Sequence, residues 1–382
     1  MPANASPGRI LTTHIGSLPR PPELLEALQG GGSAKEDLLR REVSEVVRRQ
    51  ADAGLDIVDD GEFSKPGFIH YINERLDGFT PGQVGGDPFA GSREHVAFPE
   101  FYSSFSRSMP PNPAGRAVHM ECTGPVSYKG QQLLQRDMEN LRAAVAGLDV
   151  EDVFVPAVSP TSVEMWQSNK YYETQEDYLF GIADALHDEY QGIVDAGFVV
   201  QIDDPHMLMY YILKPEASIK EVREWAEVRV AAVNRALRGV ARDRVRWHTC
   251  YGINMGPRVH DLELKHILDL ILRIEAGGYS FEGANPRHEH EWRLWEETKL
   301  PEGTTLIPGV ITQSSVLVEH PELVAQRLVK YANLVGRDNV IAGADCGFGT
   351  FAGTEEIHSS VAWAKLESLV QGAKLASEEL WR

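Results

Sequence analysis

Val-Arg-Trp-His-Thr-Cys at 245–250 is followed by Gly-Gly-Tyr-Ser-Phe-Glu-Gly at 277–283 and by Asn-Val-Ile-Ala-Gly-Ala-Asp-Cys-Gly at 339–347. Each is a short apolar run ending in a residue type that binds metal: His248 and Cys250, then Glu282, then Cys346. His-x-Cys places both side chains on one face of a strand, because side chains alternate along it. Glu282 and Cys346 are too far downstream for a zinc-finger knuckle, so a site assembled from separate strands remains. In a barrel of alternating strands and helices, strand ends converge on one mouth. Two thiolates, an imidazole and a carboxylate meeting there suit a zinc ion that keeps one position open for exchange. The expectation is metal-assisted activation of sulfur.

Outward from these runs, the same rhythm covers most of the chain. Apolar stretches bounded by turn residues recur at 9–17, 55–62, 116–124, 152–160, 198–205, 245–252, 278–284, 305–312 and 339–347. Helical periodicity fills many of the intervals, as at 34–54, 174–197, 218–239 and 320–336, each closing on a glycine. Such alternation implies a parallel sheet, and the expected fold is an α/β TIM-type (β/α)8 barrel. Nine candidates compete for eight places. The run at 152–160 is the surplus one on this reading, because no ligand-type side chain ends it. A doubly wound open sheet is the rival, but no glycine-rich phosphate signature accompanies the strands. One stretch, 78–116, is rich in Gly, Pro, Ser and Phe without helical period, and reads as an irregular arm. It covers the barrel mouth or reaches another subunit of a homo-oligomer. With no repeat and no low-complexity linker, residues 1–382 read as a single domain.

The 382 residues are 42% hydrophobic and carry a formal net charge of −19, with 3 cysteines. An acidic chain without a basic stripe is not expected to bind nucleic acid or an anionic membrane. Three cysteines are too few for a disulfide framework in a chain this long. The N-terminal residues have no signal-peptide pattern and no apolar run reaches membrane-spanning length, so a cytoplasmic protein is expected. Cys122 reads as a small buried apolar residue rather than a ligand.

Other strand ends carry carboxylates. Asp59-Asp60-Gly61-Glu62 closes the second run and Asp203-Asp204-Pro205-His206 the fifth. Asp60 and Asp204 fit caps and turns. Glu62 and Asp203 are the substrate-facing candidates, suited to an ammonium or to general-base work. Arg287-His288-Glu289-His290-Glu291 is a competing metal motif, but its spacing is not that of the helical His-Glu-x-x-His site. Substrate contact is the better reading there. His288, His290 and His206 are the acid–base candidates, with His288 taken first.

His-x-Cys, Glu282 and Asp345-Cys346-Gly347, with Thr13-x-Ile15-Gly16-Ser17, resemble the catalytic barrel of cobalamin-independent methionine synthase. The match includes Asp60-Gly61-Glu62, Thr123-Gly124-Pro125-Val126, Gln201-Ile202-Asp203 and Gly309-Val310, in the family's order along nearly the whole chain. The resemblance implies a TIM-type barrel of the kind shared with uroporphyrinogen decarboxylase. It also implies Zn2+ on His248, Cys250, Glu282 and Cys346. Ile15, Gly16 and Ser17 would contact an amino-acid substrate, and Glu62 and Asp203 would bind its ammonium.

The departures are specific. The second, N-terminal barrel of that family has no counterpart in these residues. Ile311-Thr312-Gln313-Ser314 stands where the family continues with Asp and a catalytic His, and Ser127-Tyr128-Lys129 lacks the folate-stacking tryptophan. Ser17-Leu18-Pro19-Arg20-Pro21 and Gly67-Phe68-Ile69-His70-Tyr71-Ile72 look closer to single-barrel relatives, a branch that includes the epoxyalkane:coenzyme M transferases. In those, a sulfonate would find a partner in Arg20 or Arg287. The expected activity is therefore zinc-dependent alkyl transfer to a thiol, with homocysteine favoured. The donor would be a methylated corrinoid protein or a small methyl compound. Epoxide opening by a sulfonated thiol is the alternative, and a metal-free lyase of the same barrel is the reading from another class.

Overall fold

The computed structural model describes residues 8–29, 33–84, 89–108, 118–252, 256–353 and 357–382. Its strands, in chain order, are β1 (Leu11–Thr12), β2 (Ile57–Val58), β3 (Leu76–Val84), β4 (Val118–Tyr128), β5 (Asp152–Val158), β6 (Ser168–Asn169), β7 (Val199–Asp203), β8 (Val245–Thr249), β9 (Gly278–Phe281), β10 (Thr305–Ile311) and β11 (Ile341–Ala344). Eight of them form one sheet in the order β1-β11-β10-β9-β8-β7-β5-β2, every ladder in it parallel. With helices around it, this is the expected TIM-type barrel.

The sheet closes at the β1–β2 edge mainly through side chains. Thr12 donates its N–H and its hydroxyl to Asp56 Oδ2, both at 2.8 Å, and the Asp56 N–H returns to the Thr12 carbonyl at 3.2 Å. Thr13 adds a hydroxyl bond to the Ile57 carbonyl at 3.2 Å. Inside the barrel, Leu11, Ile57, Phe154, Val199, Ile307 and Ile341 form one apolar layer, while the main core lies between strands and helices. Alternation then puts Gln201 and Asp203 on the same interior face as Val199, and Arg246, His248 and Cys250 on one face of β8.

The helices carry the expected punctuation. Ser218 and Glu221 form a reciprocal capping box at the start of Ile219–Ala236, and Thr174 caps Gln175–Asp195. The latter helix ends before Gly197, whose φ of +94° needs a residue without a Cβ.

Two expectations are corrected. The run at 152–160 is a barrel strand: β5 pairs with β7 from Phe154↔Val199 to Val158↔Asp203, and with β2 on its other side. The surplus run is 116–124. It belongs to β4, which pairs antiparallel with β3 and parallel with β6 in a separate three-stranded sheet. The physical reason lies in composition. β5 is buried almost throughout, as a barrel strand covered on both faces must be, whereas β4 alternates polar and apolar residues and stays half exposed. The stretch at 78–116 is also less irregular than expected. It starts within β3 and carries helices Arg93–Ala97 and Pro99–Ser108. Its residues 85–88 and 109–116 lie outside the described residues.

Candidate metal centre and substrate cavity

At the ends of β8 and β11, His248, Cys250 and Cys346 each offer a ligand atom, and these atoms lie within 4.8 Å of one another. The two sulfurs are 3.5 Å apart, too far for a disulfide and close enough to share an ion. His248 is buried, and its Nδ1 lies 3.3 Å from the Ser280 hydroxyl while its Nε2 has no protein partner. Burial, helped by the Arg246 charge, pulls its pKa down to about 3, which keeps the imidazole neutral and its lone pair available. An orphaned buried nitrogen facing two thiols is a donor set that fits zinc.

Glu282 ends β9 beside this trio but is not part of it. Its Oε1 accepts from the Tyr251 N–H at 2.9 Å and from Arg258 Nη2 at 3.2 Å, and its Oε2 accepts from Asn285 Nδ2 at 3.0 Å. Arg258 holds a left-handed backbone, φ +57°, and is tied also to Asp261 at 2.9 Å.

The three candidate ligands open on a cavity of about 240 Å³ whose wall includes Ile15, Ser17, Glu62 and Asp203. Loops after β1, β2 and β11 are laced together there. The Leu18 N–H donates to the Gly61 carbonyl at 3.1 Å, and the Phe348 N–H to the Ser17 carbonyl at 2.8 Å. Gly16 has φ +127°, and a Cβ on it would meet Pro156 Cγ at 2.4 Å and Glu62 Oε1 at 3.0 Å. Glu62 itself is left-handed, φ +58°, an uncommon conformation for a residue with a long side chain. Asp60 Oδ1 accepts its N–H at 2.9 Å, and Lys65 Nζ sits 3.5 Å from its carboxylate. Asp203 Oδ1 accepts from Gln201 Nε2 at 2.7 Å. Burial, followed by the nearby Glu62 charge, holds the Asp203 carboxyl well above the usual range. Asp204 has the capping role expected of it, accepting the Met207 N–H at 3.0 Å.

Several expected residues stand elsewhere. Arg20 does not face the cavity as an anion partner. Its Nη1 donates to the Gly349 carbonyl at 2.6 Å, and its Nη2 to those of Glu62 and Lys65 at 2.7 and 3.0 Å, so it bolts three loops together. Arg287 likewise donates to the carbonyls of Arg258 and Val259. His288 is not on the cavity wall. Its Nε2 is 2.9 Å from Asp261 Oδ2, its Nδ1 is 3.1 Å from Glu291 Oε2, and its ring stacks on Tyr251 with centroids 3.7 Å apart. Burial opposes its charge, but the bonds to Asp261 and Glu291 win and raise its pKa to about 9. His290 is exposed. Of the three histidines weighed, His206 is the one on the wall, with Nδ1 3.0 Å from the Ser162 hydroxyl. Cys122 is buried and donates to the Gly124 carbonyl, well away from the trio's donor set.

Other residues support the site from beneath and beside it. Lys65 is buried under Glu62 with Nζ on the Pro156 carbonyl at 2.5 Å. Arg246 lies wholly inside the barrel. It donates to Gln201 at 2.6 Å, Thr13 at 3.0 Å and the His14 carbonyl at 2.6 Å, and stacks 3.4 Å over the Phe154 ring. Gln201 passes that order upward, donating to the Ile15 carbonyl at 2.6 Å as well as to Asp203. The start of the 89–108 segment reaches the site too, since Phe89 is on the wall and Glu94 accepts the N–H groups of Arg258 and His260 at 3.1 and 2.8 Å.

One family model matches most of the chain. The family described as "Cobalamin-independent synthase, Catalytic domain" matches residues 10–93 and 138–374. A methionine synthase of Sulfolobus acidocaldarius is 27% identical over 376 residues, covering 97% of this chain and 93% of that protein. One from Sulfurisphaera tokodaii is 26% identical over 388 residues, with the same coverage. Among solved structures, a B12-independent methionine synthase from Shewanella sp. in complex with selenomethionine superposes with a TM-score of 0.76 at 20% identity, over 97% of this chain and 99% of that one. A putative vitamin-B12 independent methionine synthase from Listeria monocytogenes gives a TM-score of 0.66 at 18% identity, over 96% and 98%. At such identities the structures speak for the fold.

Proposed function

Because this chain belongs to the family of cobalamin-independent synthase catalytic domains, we propose that it transfers a methyl group to the thiol of homocysteine or a close analogue. The observation that carries this is the convergence of His248, Cys250 and Cys346 on a cavity that also presents Glu62 and Asp203. Those three residues would hold zinc, with Glu282, at the end of the neighbouring strand β9, the carboxylate able to join or leave them. Bound there, zinc would lower the pKa of an arriving thiol so that thiolate is available at neutral pH.

This chain's own residues do the rest. Glu62 and Asp203 take the substrate ammonium, and Lys65 and Gln201 hold those carboxylates in place from below. The Ile15–Ser17 loop, fixed by the bond from Gln201 and the lacing to Phe348, offers hydroxyl and backbone groups to the rest of the amino acid. So anchored, the sulfur is delivered in line with the methyl carbon, and the gain is one of positioning. The epoxide-opening alternative loses its main support, since Arg20 and Arg287 spend their guanidinium groups on backbone carbonyls. A lyase acting on polycarboxylates would want cations on the wall, and none of the described wall residues is Lys or Arg.

The test is zinc content by elemental mass spectrometry on protein purified without added metal. About one zinc per chain is expected, lost in Cys346→Ser. The cobalt-substituted protein should change its visible spectrum on adding homocysteine. Wild-type protein without metal, together with a cobalt spectrum indifferent to thiols, would reject this function.

A further inference from the structure

Beyond the metal trio and the substrate carboxylates, the cavity wall includes an aromatic and soft face: Phe68, Met165, Trp166, Met209 and Phe351. Trp166 is stacked by the His119 ring with centroids 5.1 Å apart and planes at 16°, and met by His206 at 6.5 Å. Its indole Nε1 is buried without a protein partner. Phe351 packs edge-on against Phe68, centroids 5.8 Å apart. The rings brace one another, so this wall exists before any ligand arrives. The same cavity carries Glu62 and Asp203 and, among its described wall residues, no lysine or arginine. The cations nearest those carboxylates stand behind the wall: Lys65, with Nζ 3.5 Å from the Glu62 carboxylate and on the Pro156 carbonyl, and Arg246, which donates to Gln201. His206 on the wall and His70 behind it are held neutral by burial, with pKa values near 4, so neither adds positive charge. A cleft faced with π-systems, with no lysine or arginine among its described wall residues, suits a cation without N–H groups to satisfy.

Resting on the thiol methyl transfer proposed above, we propose that the methyl donor is a small onium compound, a sulfonium or quaternary ammonium carrying the transferable methyl on its positive atom. The step balances without acid catalysis. A lone pair of the thiolate sulfur forms the new S–CH3 bond, and the CH3–S⁺ or CH3–N⁺ bond breaks with its electrons returning to the heteroatom. The leaving group departs as a neutral thioether or amine, so no proton has to be supplied. Such a step asks no acid of Ile311-Thr312-Gln313-Ser314, none of whose own side chains is acidic or basic; Gln313 is buried with both side-chain polar atoms unpartnered. An anionic donor with a glutamate tail would find no lysine or arginine on the described wall of a chain whose net charge is −19.

Calorimetry on the zinc-loaded protein tests recognition with two probes of one shape, choline and its uncharged carbon analogue 3,3-dimethylbutanol. Choline should bind at least about tenfold tighter. Trp166→Leu should abolish most of that preference, and Phe351→Leu part of it, which covers the case of one variant misfolding. Equal binding of the two probes would overturn the inference. Turnover is tested by supplying homocysteine with trimethylsulfonium or a methylated betaine-type ammonium, and separately with a methoxyarene or a methylated corrinoid. Methionine from an onium donor supports the inference. Methionine from only a neutral or corrinoid donor overturns it while leaving the transferase reading intact. If homocysteine also leaves the cobalt spectrum unmoved, it is the transferase reading that fails.

Discussion

Glu282 has a resting place away from the three converging ligands, supplied by Arg258, the Tyr251 N–H and Asn285. A carboxylate already satisfied by protein gives up little when it leaves an ion, which is what a position exchanged with substrate sulfur requires. Arg258→Met should therefore free Glu282 to compete for the metal and raise zinc affinity by up to about tenfold in a chelator competition. Unchanged affinity would mean that Glu282 never joins the set. Gly347 gives a second residue-level test. A Cβ there would sit 2.0 Å from the Ser17 hydroxyl. Gly347→Ala should raise KM for the thiol by roughly tenfold to a hundredfold through displacement of Ser17, with the circular dichroism spectrum unchanged. His248 and Cys250 were readable from sequence because a period of two puts them on one face whatever else the chain does. Arg20 and His288 were not. A cation after a strand can face a cavity or a row of carbonyls, and only the fold of three separate loops, or of Asp261 and Glu291 around an imidazole, decides which.

At the level of elements, the strand–helix alternation was legible because barrel strands are short, apolar and punctuated. The misassignment of 116–124 against 152–160 shows which signal matters more. Continuous burial identified β5, and the presence of a ligand-type end residue did not. The strand β3 and the helices of the 78–116 stretch were obscured because their order comes from tertiary contacts. Arg93 donates to the Tyr211 and Ala217 carbonyls, and Glu94 takes two N–H groups from the loop after β8. Glu94→Ala would leave those N–H groups unpaired, at a cost of about 1–3 kcal/mol. Faster amide exchange should follow across 89–108 and at Arg258 and His260, with the barrel strands unaffected. Exchange unchanged at those positions would show that Glu94 does not dock the segment.

For the whole molecule, the His288 cluster makes stability depend on pH in a calculable direction. Its folded pKa, about 9, lies above the ordinary imidazole value of 6.5. The stabilisation is therefore complete below about 6.5 and is lost as pH rises through about 9. The unfolding free energy from urea titrations should fall over that window by roughly 3 kcal/mol, and His288→Gln should flatten the fall. A wild-type profile flat across the window would contradict the assignment. The left-handed Glu62, finally, places two demands on the chain in opposition. Glycine at 62 would relax the backbone by about 1 kcal/mol, but it would delete the carboxylate meant for substrate and strand buried Lys65, 3.5 Å away, at a cost of about 3–5 kcal/mol. A laboratory lineage selected only for heat tolerance should therefore leave position 62 alone. Endurance and chemistry there draw on the same awkward torsion angle.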